Sequence, residues 1–319
     1  MKGDTMKKYG WLIIAAAILV AGGWWFMIKK TTLPADSGAK LKVTVSLPLL
    51  QNIVERIGGD EVAVSSIIKG STCNHEYEPS AGDMKQAAGC DLFVKAGLGF
   101  DLWVDKLMES AASPKTVILD AARGVTAIHD DEDEHETENR THEEEEGEDG
   151  HDHELGNPHY WGSPANAKIV AKNILDELIT LRPTKQEYFT QNYQRFLAEL
   201  DQTAAELKIR VEQLKDRRIV TYSAAFPYFF EYFGFENLGT VEEAHEQEVS
   251  PKRMVEFVKL MKQKRVKVLV GEAVYPRLPE NLAQETGARL VLLWSATDES
   301  GDYLKTLKVN IEKMVSALQ

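Results

Sequence analysis

The sequence predicts an α/β protein of two lobes, each with a parallel sheet flanked by helices, joined by one long rigid linker helix. Short apolar stretches alternate with helical stretches in two separate series, and one helical stretch of about 30 residues lies between them. The length of 319 residues also exceeds one typical domain. Because parallel α/β sheets bind ligands beyond the carboxyl ends of their strands, we expect a site in the cleft between the lobes.

The first series follows a linker of Pro, Ser and Gly residues at 33–39. Helical periodicity begins at Pro48 and ends at the pair Gly58 and Gly59. The predicted strands are 41–46, 62–68, 91–95 and 116–119. The predicted helices are 48–57, 81–88 and 98–112. This alternation predicts a first lobe at residues 40–183.

A long amphipathic stretch at residues 184–215 predicts the linker helix. At 1.5 Å per residue it spans roughly 45 Å, which is longer than one lobe needs, so we expect it to join two. A shorter predicted helix at 165–181 precedes it and is ended by Pro183. The second series has predicted strands at 218–222, 237–241, 266–271 and 289–293, and predicted helices at 227–233, 251–264, 278–286 and 303–318. It predicts a second lobe at residues 216–319.

An apolar run at residues 9–28 follows three lysines and is itself followed by a Lys-Lys pair. Roughly 20 apolar residues can span a bilayer as a helix, so segment 1–39 predicts an uncleaved membrane anchor and linker. The alternative is a signal peptide cleaved near the small residues at 37–39, which would give a secreted or periplasmic protein. Both interpretations place the body of the protein outside the cytoplasm.

Residues 129–154 hold 15 acidic residues and one basic residue, which more than accounts for the net charge of −13 and leaves the rest of the chain at +1. A near-neutral folded part excludes nucleic-acid binding. Charge runs of this density are normally disordered and solvating. Imidazoles among carboxylates on a mobile chain can also bind divalent metal weakly. We therefore predict weak metal-collecting sites at His129, His135, His142, His151 and His153.

Cys73 and Cys90 are the only two cysteines of the chain. Outside the cytoplasm a pair 17 residues apart can form a disulfide. The alternative is one buried thiol with an unrelated neighbour. The sequence leaves both interpretations open.

His75 and His159 stand in loops that are expected to be ordered, each beside an aromatic residue and a Pro, as Asn-His-Glu-Tyr-Glu-Pro and Asn-Pro-His-Tyr-Trp. Neutral imidazole is the preferred nitrogen ligand of zinc and related metals, and a neighbouring Pro and aromatic ring limit the motion of the loop. A hydrogen-bonded structural histidine is the simpler interpretation for each one taken alone. Their separation of 84 residues cannot decide between the two.

The segments 70–79 (GSTCNHEYEP) and 157–161 (NPHYW) resemble the two histidine motifs of cluster A-I solute-binding proteins, the extracytoplasmic receptors of ABC importers for zinc and manganese. The resemblance continues to the carboxyl terminus through Glu272 and four further segments. These segments are 166–168 (NAK), 222–230 (YSAAFPYFF), 248–251 (EVSP) and 302–318. It implies two α/β lobes joined by a rigid helix, with a metal site in the cleft.

The resemblance makes His75 and His159 the first two metal ligands, but it does not supply the other two. The third position, His in zinc receptors and Glu in manganese receptors, is Ser223 here, and the usual Asp after the last strand is Trp294. The residue before the first histidine is also unusual, since Asn74 follows Cys73 where the family has Asp-Pro. Zinc needs about four ligands, or three and a water. The candidate replacements are Glu272, Asp298 and His245.

The resemblance implies a binding protein and no enzyme: a receptor that delivers zinc, or alternatively manganese, as transported ligand to an ABC permease with its ATPase. We expect a monomer that contacts the membrane through its N-terminal helix. One alternative is a zinc-dependent extracytoplasmic hydrolase in which His75, His159 and a carboxylate activate water. The sequence has no His-Glu-x-x-His or Gly-x-Ser-x-Gly motif to favour it. Another alternative is a degenerate receptor that buffers or senses metal.

Overall fold

The computed structural model describes residues 38–71, 75, 77–111, 113–129, 155–242, 249–277 and 279–319. Within them, residues Ala39–Gln319 form one compact unit. The predicted anchor at 9–28 lies outside the described residues. Across the described ranges, no helix has the length and apolar character that a bilayer crossing requires.

The first sheet is parallel and has four strands in the order β2-β1-β3-β4. The strands are β1 (Leu41–Val45), β2 (Val62–Ser66), β3 (Leu92–Lys95) and β4 (Val117–Asp120). In register, Val43 of β1 lies beside Val64 on one side and Leu92 on the other. The helices of this series are α1 (Pro48–Gly58), α2 (Ala81–Ala88) and α3 (Trp103–Ala111). The central strands β1 and β3 are mostly buried, whereas the edge strands β2 and β4 are partly exposed.

The long connecting helix is α5 (Gln186–Glu212), which follows α4 (Pro164–Leu181) and a 3-10 turn at Pro183–Lys185. Its 27 residues span about 40 Å. One face of α5 is buried, including Phe189, Phe196 and Leu200. The helix packs against α1 and α4 of the first series and against two helices of the second. It therefore joins the two halves, as predicted.

The second sheet repeats the topology of the first, with parallel strands in the order β6-β5-β7-β8. The strands are β5 (Arg218–Thr221), β6 (Glu236–Thr240), β7 (Val268–Glu272) and β8 (Arg289–Leu293). The helices are α6 (Pro227–Phe233), α7 (Pro251–Lys264), α8 (Glu280–Thr286) and α9 (Tyr303–Leu318). Helices α6 and α9 are the two that contact α5. The predicted fold class of two parallel-sheet lobes and a linker helix is confirmed.

One predicted helix begins five residues later than expected. The stretch 98–112 is helical only from Trp103, because Gly97, Leu98 and Gly99 have φ angles of 78°, 50° and 78°. The buried Asp101 carboxylate accepts hydrogen bonds from the N–H groups of Ala96 (2.6 Å) and Gly97 (2.9 Å), which fixes the chain as a tight loop. This loop, and not a first helical turn, carries Phe100 to the site.

Candidate metal centre

The two predicted histidine ligands meet at the carboxyl edge of the first sheet. His75 lies in the loop between β2 and α2, and His159 lies between β4 and α4. Because the strands are parallel, both loops leave the sheet on the same side. The Nε2 atoms of the two imidazoles are 3.2 Å apart, although the residues are 84 positions apart in the chain. The structure therefore brings together the two residues that the sequence motifs indicate.

The distance between the two Nε2 atoms matches the requirement of one metal ion. Zinc binds imidazole nitrogen at about 2.0–2.1 Å, so two nitrogens on one tetrahedral ion stand about 3.3 Å apart. The observed separation of 3.2 Å is close to that value. An ion held by both imidazoles therefore needs little movement of either ring.

Two aromatic rings enclose the imidazole pair. The centroid of Phe100 lies 4.3 Å from that of His75 and 6.2 Å from that of His159. Trp161 lies 5.5 Å from His159 and 5.2 Å from Phe100, and its indole N–H donates to the carbonyl of Ser295 at 2.7 Å. His159 is 1% exposed, whereas His75 is partly exposed. The site is thus enclosed on the side of His159.

Asn157 orients His159. The sequence analysis did not single out Asn157, which is the first residue of the Asn-Pro-His-Tyr-Trp motif. Its Oδ1 accepts a hydrogen bond from the backbone N–H of His159 at 3.0 Å and lies 3.2 Å from Nδ1 of the same ring. Its Nδ2 donates to the carbonyl of Ala224, which follows β5, at 2.8 Å. Asn side chains commonly bond the backbone two residues later in a turn. An Asn two residues before a candidate ligand is therefore the feature of the sequence that could have indicated this role.

Ser223 and Glu272 meet at the carboxyl edge of the second sheet. Glu272 ends β7, Ser223 follows β5, and the Ser223 hydroxyl donates a hydrogen bond to the Glu272 carboxylate. Both side chains are 3% exposed, and a buried carboxylate needs such a partner. Ser223 Oγ also accepts from the N–H of Ala225 at 3.2 Å, so the hydroxyl is fixed. A ligand role for Glu272 remains a prediction.

Asp298 and Trp294 follow β8 and are held in different ways. Asp298 is buried. Its carboxylate accepts hydrogen bonds from the N–H (2.9 Å) and hydroxyl of Ser300 and lies 3.8 Å from Lys305 Nζ. Trp294, which the resemblance predicts to replace the usual Asp, has its ring centroid 5.6 Å from the Lys313 ammonium. The Asp298 carboxylate is thus held by its neighbours, and metal ligation by Asp298 stays a prediction.

Most of the other predicted metal-binding residues lie outside the described residues, as does one of the two cysteines. His245, His135, His142, His151, His153 and Cys73 are among those residues without a description. His129 is exposed, and Cys90 is a free, buried thiol, as in the second of the two interpretations given for it. Among the described residues, no three His, Cys, Asp or Glu side chains form a group that could hold a metal ion. The described part of the site is thus the imidazole pair of His75 and His159.

The fold and the paired imidazoles together define a two-lobed metal-binding receptor. The chain belongs to the family described as zinc-uptake complex component A, periplasmic, whose sequence profile matches residues 43–317. A crystal structure of ZnuA superimposes with a TM-score of 0.75 at 25% identity, covering 88% of this chain and 100% of that chain.

Two curated relatives carry the names of different metals. The iron-binding protein YfeA of Yersinia pestis is 26% identical over 259 residues, which are 80% of this chain and 77% of the relative. The manganese ABC transporter substrate-binding lipoprotein PsaA of Streptococcus anginosus is 27% identical, and the match covers 98% of this chain and 99% of the relative. The similarity thus extends over nearly the whole chain.

Family membership identifies the protein as an extracytoplasmic, metal-binding component of an ABC import system and implies a permease and an ATPase as partners. Proteins of this family bind their ligand and hand it on, so the protein is not an enzyme. The alternative of a zinc-dependent hydrolase finds no support in these similarities.

Proposed function

We propose that this receptor captures zinc, with manganese as the alternative, between Nε2 of His75 and Nε2 of His159. The observation that carries the proposal is their separation of 3.2 Å, which suits two nitrogen ligands of one tetrahedral ion. Two imidazoles favour zinc, since manganese prefers oxygen ligands. The metals in the names of relatives support metal import without choosing among metals.

The third ligand in this proposal is the Glu272 carboxylate, which stands at the carboxyl edge of the second sheet as the histidines do at the edge of the first. Its hydrogen bond from Ser223 keeps it oriented without a metal. Asp298 and His245 are the other candidates. In this proposal the first lobe comprises residues 40–183, the linker helix residues 184–215 and the second lobe residues 216–319.

The acidic segment at 129–154 collects metal weakly in this proposal and passes it to the tight site. Support comes from the residues that flank it. The N–H of Asn157 donates to the carbonyl of Ile128 at 2.8 Å, and the Tyr228 hydroxyl donates to the Asn157 carbonyl while it accepts from the N–H of Ile128, both at 2.8 Å. These bonds join the two ends of the segment two residues before His159, so collected metal has a short path to the imidazole pair.

The apolar run at 9–28 tethers the receptor to the outer face of the cytoplasmic membrane in this proposal, and the receptor acts as a monomer. The run is long enough to span a bilayer, and lysines flank it on both sides. A tether of this kind keeps a receptor close to its permease. The alternative is a secreted or periplasmic protein after cleavage near residue 39.

Calorimetric titration of the full-length protein with zinc and with manganese tests the metal site. We expect one tight zinc site, and a loss of more than about 100-fold in affinity in His75→Ala and in His159→Ala, because even changes beside a metal ligand cost 10–100-fold. His129→Ala is the control, since this exposed histidine belongs to the collecting segment. Tight binding that survives in both variants would contradict the proposal. A measurement of metal uptake through the permease distinguishes a receptor that delivers metal from one that buffers or senses it, because only delivery increases uptake.

A further inference from the structure

The side-chain amide of Asn157 lies between the metal site and the second sheet. Its oxygen faces His159, with 3.0 Å to the backbone N–H and 3.2 Å to Nδ1 of the ring. Its nitrogen donates to the carbonyl of Ala224 at 2.8 Å. This hydrogen bond directly connects the loop of His159 to the loop after β5.

Two neighbours fix which end of this amide faces the imidazole. The Ala224 carbonyl can only accept, so the NH₂ group of Asn157 must point toward it. The backbone N–H of His159 can only donate, so it requires the amide oxygen. Both contacts demand the same orientation, and Nδ1 of His159 therefore faces an atom that only accepts. A hydrogen bond at that place requires the ring proton on Nδ1.

We propose that Asn157 is a positioning residue that keeps the proton of His159 on Nδ1 and so makes Nε2 the metal-binding atom. In a neutral imidazole only one nitrogen carries the proton, so a proton on Nδ1 leaves the Nε2 lone pair available. The inference rests on the proposed function, in which this Nε2 binds metal. It goes further by assigning the control of the imidazole to Asn157 and, through Ala224, to the second lobe.

The assignment defines the state of the pair without metal. Since Nε2 of His159 has no proton, the 3.2 Å contact is a hydrogen bond donated by Nε2 of His75. When metal binds, the ring proton of His75 moves from Nε2 to Nδ1, so that the Nε2 lone pairs of both neutral imidazoles face the ion. If the lobes separate, the bond to Ala224 breaks, and the backbone N–H of His159 alone holds the amide oxygen toward the ring. The contact between the lobes thus reinforces the orientation of the amide.

Two substitutions of Asn157 and a matched control test whether its side chain orients the imidazole of His159 or only fills space beside it. Asn157→Ala removes the acceptor. Asn157→Asp keeps an acceptor for Nδ1–H and, because both carboxylate oxygens accept, needs no partner across the cleft to orient it. Asn192→Ala is the control, since Asn192 Nδ2 also donates to a carbonyl, that of Ile57 at 3.1 Å, in the contact between α5 and α1.

The tautomer of His159 is read from imidazole ¹⁵N shifts of the metal-free, full-length protein, with the signal assigned by its loss in His159→Ala. We expect the Nδ1–H form in the wild type, in Asn192→Ala and in Asn157→Asp, and a shift toward the Nε2–H form in Asn157→Ala. An Nε2–H form in the wild type, or an unchanged tautomer in Asn157→Ala, would overturn the inference. A loss of the Nδ1–H form in Asn157→Asp would do the same.

Zinc titration of the same proteins gives the second readout. We expect Asn157→Ala to weaken tight binding by about 10–100-fold, the usual effect of losing a residue that orients a histidine ligand, and Asn192→Ala to leave it unchanged. If His75→Ala abolishes tight binding while Asn157→Ala keeps wild-type affinity, the proposed function stands and the role of Asn157 is refuted. The tautomer is measured without metal, so it decides the inference even if the metal assignment fails.

Discussion

The imidazole of His75 is held by an aromatic ring on one side and by the imidazole of His159 on another. Its centroid lies 4.3 Å from Phe100 and 5.0 Å from His159. Phe100 is itself fixed against Trp161 at 5.2 Å. These tilted ring contacts limit the rotation of His75 and hold its imidazole beside that of His159.

Replacement of this ring tests whether packing contributes to metal affinity. We expect Phe100→Leu to weaken zinc binding by about 10-fold, because a ligand with a looser orientation loses affinity. Phe93→Leu is the control, since Phe93 is equally buried but packs in a separate cluster under α3. Calorimetry gives both affinities, and urea unfolding checks that the two variants lose similar stability, about 1–2 kcal/mol. Equal zinc affinity in the two variants would contradict this role of Phe100.

The residues of the site differ in how far the sequence could predict them. His75 and His159 could be identified from their motifs, whereas Phe100 lies in a stretch whose apolar pattern fits a helix. The left-handed backbone at Leu98 that ends this pattern depends on hydrogen bonds to Asp101, a tertiary arrangement that periodicity does not contain. The altered ligand position at Ser223 stays a prediction from the sequence, and the bond of Ser223 to Glu272 required the structure.

At the scale of elements, Arg56 connects three helices through hydrogen bonds and ion pairs. Its guanidinium donates to Glu199 of α5 and to Asp302, the N-cap of α9, at 2.8 Å each. Its own helix is α1, so the contact joins both lobes to the linker helix. Asn52 of α1 adds a bond, since its Oδ1 accepts from the N–H of Tyr303 at 3.2 Å. This polar contact fixes the relative position of α1 and α9.

The pH dependence of stability tests this contact. Burial alone would raise the pKa of Asp302, but hydrogen bonds from Lys305 N–H and the Arg56 guanidinium outweigh it, so the pKa lies below its ordinary value. A lowered folded-state pKa stabilises the protein above the unfolded pKa of about 3.9, and this contribution is lost as pH falls through the folded pKa. Asp302→Asn keeps an N-cap acceptor and removes the charge. We expect it to lower the free energy of unfolding by about 1 kcal/mol at pH 7, a value already reduced for solvent screening.

Urea unfolding between pH 3 and pH 7 measures this difference. The gap between wild type and Asp302→Asn should narrow below about pH 4, as the wild-type carboxylate gains its proton. Asp176→Asn, which removes an exposed partner of Lys172, is the control and should change stability by less than about 0.5 kcal/mol at pH 7. A gap that is the same at pH 3 and pH 7 would contradict the assignment.

The order and type of the elements could be predicted because most strands are short apolar runs and most helices have a periodic apolar face. Element ends were less predictable. Strand β7 extends to Glu272, which is charged and was expected just beyond the strand. Its hydrogen bond with Ser223 is what makes a buried carboxylate acceptable at a strand end.

At the scale of the whole molecule, charge is concentrated in one segment. Residues 129–154 carry the acidic excess, and the rest of the chain is close to neutral. The bond from Asn157 N–H to the Ile128 carbonyl joins the ends of this segment at 2.8 Å. The segment can therefore be shortened without moving the strands and helices on either side.

Deletion of residues 130–152 tests the collecting role. Joining the ends through a short Gly-Ser linker should leave one tight zinc site and remove the weak ones, because the deletion takes out three of the five predicted collecting histidines and 14 of the 15 acidic residues. Calorimetric stoichiometry measures the change, and a chain in which only His129 is replaced is the control. Unchanged stoichiometry after the deletion would count against a collecting role.

The division into two lobes could be predicted from two series of elements and one long helix. The arrangement across the cleft could not, because it depends on contacts far apart in sequence. Trp161 donates to Ser295, and the Tyr303 hydroxyl donates to the Trp161 carbonyl, both at 2.7 Å. Nothing in local periodicity pairs residues more than 130 positions apart, so only the motifs pointed to a shared site.

A zinc-loaded crystal of this protein, with anomalous diffraction recorded at the zinc edge, tests the central claim most directly. We expect one strong peak between His75 and His159, about 2.0–2.1 Å from Nε2 of each ring. The remaining ligands, with Glu272 first among the candidates, would be read from the same map. A fully occupied zinc ion bound to other residues, with the two imidazoles still in direct contact, would contradict the account.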